Sequence, residues 1–164
     1  MESAEMLMKD LLQTIPQKGE VTWIGLRPGR NTPTKIVTEV GAEKGQGLDG
    51  DRFSGTPESK RQVTFVQEEH LSVIGGIMEK EIDPAILRRN IMVKGINLLA
   101  LHNQKFQVGD VIFKGTGYCH PCSKMEIALG PGGYNSMRGH GGITARILNS
   151  GVLKVGDSVS LLVD

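Results

Sequence analysis

The sequence predicts a mainly β chain of the α+β kind, closed or nearly closed into a small β-barrel with a few short helices. Three observations carry that prediction. Glycine makes up 22 of 164 residues, well above the roughly 7% of an average protein, which means many tight turns and close backbone approaches rather than a helix bundle. Aromatic residues are only 4%, so the core is filled by aliphatic side chains. Finally, Val108-Gly109-Asp110-Val111-Ile112 and Val155-Gly156-Asp157-Ser158-Val159 both read as strand, Gly-Asp turn, strand. Such tight antiparallel turns suit a barrel, where closure removes exposed sheet edges.

The elements follow in order. Met8, Leu11, Leu12 and Ile15 fall at helical spacing ahead of Pro16 and Gly19, so residues 1–19 form an N-terminal helix or arm and residues 20–164 one domain. Val21–Leu26 is β-rich, and Ile36–Val40 is a second such run. Between them Arg27-Pro28-Gly29-Arg30-Asn31-Thr32-Pro33 is a loop. Gly45–Pro57 reads as irregular backbone, and Gln62–Val66 as a strand. Glu68-Glu69-His70 opens a helix with Leu71, Ile74 and Met78 on its apolar face, weakened by Gly75-Gly76. Asp83-Pro84 is a cap followed by proline at the first helical position, opening a short helix that ends near Arg89 before the strand Ile91–Val93.

Charge and composition narrow the function. Lys+Arg at 19 against Asp+Glu at 18 provides no basic field for nucleic acid or an anionic membrane. No apolar run approaches the roughly 18 residues of a membrane span. Met1-Glu2-Ser3-Ala4-Glu5 lacks the basic and apolar regions of a signal peptide. The chain reads as cytoplasmic, and with 2 cysteines it does not rest on a disulfide framework.

Those cysteines stand in Tyr118-Cys119-His120-Pro121-Cys122-Ser123-Lys124, where a β run gives way to a helical pattern. Three readings stand side by side. A thiol at such a junction, near Lys124 and His120, is favoured as a reactive thiolate. The pair also supplies two ligands of a zinc site that needs four. Finally, two small apolar residues of this kind pack a core. From Lys114 to Arg146 the local charge is +3 and 8 of 33 residues are glycine. A cationic stretch with exposed backbone suits an anionic ligand, with Gly130-Pro131-Gly132-Gly133 and Arg138-Gly139-His140-Gly141-Gly142 as its loops; flexible turns are the plainer reading. At Arg88-Arg89-Asn90 one arginine points inward or into a cleft and needs an anionic partner, unless both charges are solvated. Gly47-Leu48-Asp49-Gly50-Asp51-Arg52 lacks most of a calcium-loop pattern. His70 and His102 read as structural or solvated.

Taken in order, these landmarks resemble those of MOSC domains, named after the C-terminal domain of molybdenum cofactor sulfurases. They are Gly47–Phe53, Arg61 ahead of a strand, Glu68/Glu69, Arg88–Ile91, Phe106–Asp110, Cys119–Cys122, Arg138–Gly142 and Val155–Asp157. The chain is similar to a small stand-alone prokaryotic-type member, without a PLP-binding sulfurase domain or a ferredoxin domain. The resemblance implies a MOSC-type β-barrel that binds molybdopterin or the whole molybdenum cofactor, or carries sulfur to metal–sulfur centres. It implies a sulfur donor such as a cysteine desulfurase, a reductase, or both as partners. Cys122 best matches the family cysteine, holding a persulfide or ligating molybdenum, with Cys119 as an additional catalytic cysteine able to resolve a persulfide into a disulfide. Arg61, Arg89 and Asn90 match positions facing the pterin or its phosphate, and Arg138 and His140 lie in the matching glycine loop. Two other functions are carried forward: a molybdenum-dependent reductase component for N-hydroxylated compounds, and a zinc-stabilised binding module using Cys119, Cys122 and two histidines.

Overall fold

The computed structural model describes residues 7–53 and 55–163. Its elements are α1 (Met8–Leu12), β1 (Gly19–Leu26), β2 (Lys35–Val37), β3 (Glu39–Glu43), β4 (Gly47–Leu48), β5 (Val63–Gln67) and α2 (Glu68–Met78). After a 3-10 turn at Pro84–Leu87 come β6 (Ile91–Lys94), a second 3-10 turn at Leu98–Leu101, β7 (Lys105–Val108) and β8 (Val111–Tyr118). The chain then runs through α3 (Ser123–Leu129), α4 (Gly133–Met137), β9 (Ile143–Ile147), β10 (Gly151–Lys154) and β11 (Ser158–Leu161). The expected N-terminal helix is observed over Met8–Leu12 with none of its residues buried; the expectation for residues 1–6 lies outside the described residues.

Seven strands close a barrel in the order β1-β6-β5-β9-β8-β7-β11, the ring being completed by the β11–β1 pair. β1 shares one edge between two partners: Gly19 and Glu20 pair with β11, while Ile24, Gly25 and Leu26 pair with β2. The barrel interior is aliphatic around three phenylalanines, Phe65, Phe106 and Phe113, whose ring centroids lie 5.2–5.5 Å apart. Low aromatic content therefore does not mean a core without aromatics. Three of the chain's 4 phenylalanines sit at its centre.

β5 and β6 are parallel neighbours, joined by α2 and the first 3-10 turn, because a parallel pair needs a crossover rather than a hairpin. That crossover buries the outer face too. Every residue of β5 is buried: Phe65 faces the barrel core, whereas Val66 and Met92 face a second core with Ile74, Leu87, Met125, Leu129 and Met137. Asp83 caps the 3-10 turn as expected, accepting from Ala85 N at 3.0 Å. α2 continues through Gly75 and Gly76 before Glu79 ends it in the left-handed region (φ 56°). A side chain at Gly75 would lie 2.7 Å from the Lys80 carbonyl oxygen, so this glycine lets the chain fold back on the helix.

Two expectations change. The run Ile36–Val40 is not one strand: β2 pairs with the barrel, whereas β3 pairs with β10 and β4 in a separate sheet. The two Gly-Asp units also differ. Gly109-Asp110 joins a true antiparallel hairpin, β7–β8, but β10 and β11 belong to different sheets. The second turn hands the chain from one sheet to the other. Gly156 N still donates to Val21 O (2.8 Å) and Val155 N to Thr38 O (2.9 Å), so its backbone is satisfied without hairpin pairing.

The segment Gly47–Arg52 is structural. Asp51 accepts from Arg27 N (2.7 Å), Arg27 Nε (3.2 Å), Arg27 Nη2 (2.9 Å), Phe53 N (3.3 Å) and Asn90 Nδ2 (3.1 Å). Burial works against the charged carboxylate, but the Arg27 hydrogen bonds and charge outweigh it and hold Asp51 below its ordinary value of 3.8. Because the folded-state value is lowered, this stabilisation is present above the ordinary value and is lost as pH falls through the folded one. Asp51→Ala strips the Arg27 guanidinium of its partner and should cost about 3 kcal/mol, read as a lower midpoint in urea denaturation at neutral pH. An unchanged midpoint would show that the pair is energetically idle.

Candidate functional site

Three consecutive residues at the entry to β6 point three ways. Arg88 adopts a left-handed conformation (φ 58°) and turns outward, donating to the carbonyls of Thr32 and Gly29 and so pinning the loop after β1. Arg89 turns under the end of β8. Asn90 turns into the barrel wall, where its Oδ1 accepts from Thr64 N and Oγ1 and its Nδ2 donates to Gly25 O and Asp51 Oδ1. Those four bonds use the amide's whole capacity. Asn90, fully buried, has no polar atom left for a ligand, so it serves as a structural bolt beneath the site rather than one of its contacts.

Arg89 is the sequence-predicted inward arginine, 4% exposed. Its partners are carbonyls rather than an anion: Gly141 O from Nε (2.8 Å), Leu87 O from Nη1 (3.1 Å), and Cys119 O (3.4 Å) and His120 O (3.5 Å) from Nη2. Four of its five N–H groups are thereby used on the backbone of three segments. Burial pushes its pKa down. Cys119 counters that most, while Arg61 and Arg27 add to the fall and Cys122 counters it slightly. The guanidinium still stays charged at neutral pH. Among the described residues it has no carboxylate partner. A positive charge therefore lies behind the backbone of Cys119, His120 and Gly141 with no carboxylate beside it.

Above it opens a cleft of about 180 Å³, lined by Leu99, Tyr118, Cys119, His120, Pro121, Gly139, Gly141 and Gly142. A second, wider hollow next to it shares His120, Pro121 and Gly139 and adds Tyr134 and Arg138. Cys119 is buried in the cleft wall, while Cys122 is exposed at the residue before α3 and makes no capping bond through its side chain. Both thiols are free. The chain passes through residues 119–122 without turn or bend.

The remaining candidates divide. Arg138 is exposed on the wider hollow, with its Nη1 3.4 Å from Asn135 Oδ1. His140 turns away from the cleft: its Nδ1 donates to Ser136 O (2.9 Å) and its ring packs edge-on against His70. Arg61 is exposed and close enough to Arg89 to oppose its charge. The sequence reading missed Tyr118, whose ring lies 4.7 Å from His102 at 36°, and Tyr134. A lone tyrosine beside a Gly-rich loop carries no spacing signal. No group of three or more His, Cys, Asp or Glu side chains among the described residues could hold a metal ion, so the zinc module lacks its ligand set.

The family model for the MOSC domain matches residues 47–160. The chain belongs to the MOSC family. MOSC domains are generally linked to binding of the molybdenum cofactor. Solved structures share the fold. The YuaD protein from Bacillus subtilis has a TM-score of 0.75 at 18% identity, covering 90% of this chain and 98% of that one. YiiM from Geobacillus stearothermophilus has a TM-score of 0.72 at 14% identity, covering 88% and 75%. YiiM from Escherichia coli has 0.67 at 16%, covering 88% and 70%. No curated protein matches. Among the described residues no helix is long and apolar enough to cross a membrane.

The MOSC barrel holds this cleft open with glycines of two kinds. A Cβ on Gly142, at φ 90°, would lie 1.7 Å from Phe65 O, and one on Gly141 would lie 1.9 Å from Cys119 O; both are where β9 enters between β5 and β8. Gly139 has φ 81° but nothing within 4 Å, since its missing side chain faces the cleft mouth. Gly139→Ala should cost only about 1–2 kcal/mol of backbone strain, whereas Gly142→Ala adds a clash with backbone and should cost several kcal/mol. Thermal denaturation of the two variants checks the contrast; equal losses would contradict this packing.

Proposed function

We propose that this MOSC domain binds the molybdenum cofactor, or its molybdopterin part, in the Cys119–Arg138 cleft, and acts there through Cys122. The observation that carries the reading is the buried Arg89 guanidinium. A cation with its hydrogen bonds spent on carbonyls and no carboxylate beside it favours an anion in the cleft above. The residues present fit the group. Thiols are soft donors suited to a metal–sulfur centre, and Arg138 with His120 offers donors to a phosphate. When bound, the cofactor would supply a metal–sulfur centre for sulfur or oxygen-atom chemistry.

The chain's own residues then divide the work. Arg89 positions the carbonyls of Cys119, His120 and Gly141 and supplies a positive charge behind them. Cys122, exposed just before α3 and three residues after the cleft-wall Cys119, is the sulfur that would ligate the metal or hold a persulfide received from an external donor. Cys119 forms the cleft wall, packed against Tyr118 and the glycine loop. Tyr134 and Arg138 flank the wider, open hollow where the charged end of the ligand would lie. A cysteine desulfurase as sulfur donor, or a reductase as electron source, completes the proposal.

Gently purified protein should contain molybdenum by elemental analysis and a pterin by fluorescence, or sulfane sulfur released by cyanide. Cys122→Ser should abolish metal retention or cyanolysable sulfur, while Cys119→Ser keeps at least part of it. Loss in Cys119→Ser with full retention in Cys122→Ser would move the reactive sulfur to the cleft wall. Neither molybdenum, pterin nor sulfane sulfur in any preparation, with stoichiometric zinc instead, would overturn the reading.

A further inference from the structure

The glycine loop that forms the cleft's far wall is held from behind by a contact that cofactor chemistry does not use. His70, in the first turn of α2, meets His140 edge to face, with ring centroids 4.9 Å apart and an interplanar angle of 64°. His140 belongs to the Arg138–Gly142 loop, and its Nδ1 donates to Ser136 O at 2.9 Å. A second tie runs beside it, from Ser136 Oγ to Met78 Sδ at 3.0 Å. α2 thus meets the Arg138–Gly142 loop at its first turn and α4 at its last residue.

His70 is an unusual residue to place there. Its Nδ1 is buried and has no hydrogen-bond partner. A neutral ring can leave that nitrogen unprotonated and carry its proton on Nε2, whereas the imidazolium must place a proton on both. A proton on Nδ1 would be buried without an acceptor, which is costly. The charged groups facing the ring are few. Glu69 lies on its own helix, and His140 faces it from the glycine loop. Around the groove on its other side stand Gln17, Gln67, Gly95, Ile96 and Asn97, none of them charged. Glu69 itself is engaged by Gln67 Nε2 (2.7 Å) and Gly95 N (3.0 Å).

We propose that His70 is a positioning residue for the cleft: in its neutral form it seats His140 and the Arg138–Gly142 loop, and on protonation it releases them. The cleft is thereby pH-responsive through a group that touches neither the thiols nor the ligand. Burial, then His140, lowers the His70 value below 6.5, with Glu69 pulling the other way. The sign follows. The unfolded chain takes up this proton first as pH falls below that ordinary value, so the contact loses stability on acidification until the folded-state value is passed. The ligand's identity does not enter.

The test uses the full-length protein without cofactor, followed by NMR from about pH 8 to about pH 5. The ring carbons of His70 should titrate below the ordinary histidine value, and the amides of Gly139, Gly141 and Cys119 should move with the same midpoint. In His70→Phe, which keeps an aromatic edge but carries no proton, those amides should lose that titration while the rest of the spectrum stays dispersed; His70→Gln serves where Phe disturbs packing. Loop amides that stay still while His70 titrates, or that keep their midpoint in either variant, would overturn the proposal. Because wild-type ring and loop midpoints are compared directly, the result stands apart from whether cofactor is ever found.

Discussion

One buried guanidinium organises the working end of this molecule. Arg89 takes carbonyls from the 3-10 turn before β6, from the end of β8 and from the loop before β9. Those segments come from distant parts of the chain; the end of β8 and the loop before β9 are also joined by Cys119 N to Gly142 O (2.8 Å), and Arg89 ties the 3-10 turn to both. A neutral side chain could not satisfy so many acceptors at once; guanidinium can, because its donors form a planar fork. The cost is a charge held away from water. The protein tolerates it without a carboxylate among the described residues, its donors spent on backbone carbonyls instead.

Its neighbours in sequence make that placement possible. Asn90 ties β6 to β5 through Thr64 and to the Gly47–Phe53 segment through Asp51, so the backbone that presents Arg89 cannot shift. Arg88, forced into the left-handed region, reverses the chain so that consecutive side chains face loop, cleft and core in turn. The parallel β5–β6 pair matters for the same reason. Its crossover covers the outside of the barrel with α2 and the second core, so a charged residue at the start of β6 enters a closed interior instead of solvent.

Much of this was legible in the residues, though unevenly. Asp83-Pro84 announced its turn because a cap and a proline act locally. The inward arginine was legible because adjacent side chains at a strand's start cannot share one face. Its partners were not, since carbonyls from residues 87, 119, 120 and 141 converge only through tertiary structure. The parallel pair was invisible for a different reason: periodicity shows which strands are buried, not which neighbours they choose. The Gly-Asp echo predicted the β7–β8 hairpin and failed for β10 and β11, because identical turn chemistry allows either continued pairing or a change of sheet. His70 read as structural or solvated, and only its packing against a loop 70 residues later decides for the first.

The division between the cysteines follows from the same geometry. Cys119 directly follows β8, its N–H on Gly142 O (2.8 Å) and its carbonyl on Arg89, so its backbone is fixed on both sides and its side chain is enclosed. Cys122 lies beyond Pro121, past the last of those ties, and faces solvent. An exposed thiol is open to other molecules, whereas an enclosed one shapes the wall that holds it. The two thiols differ in this way only three positions apart, Cys119 held in the cleft wall and Cys122 free of it before α3.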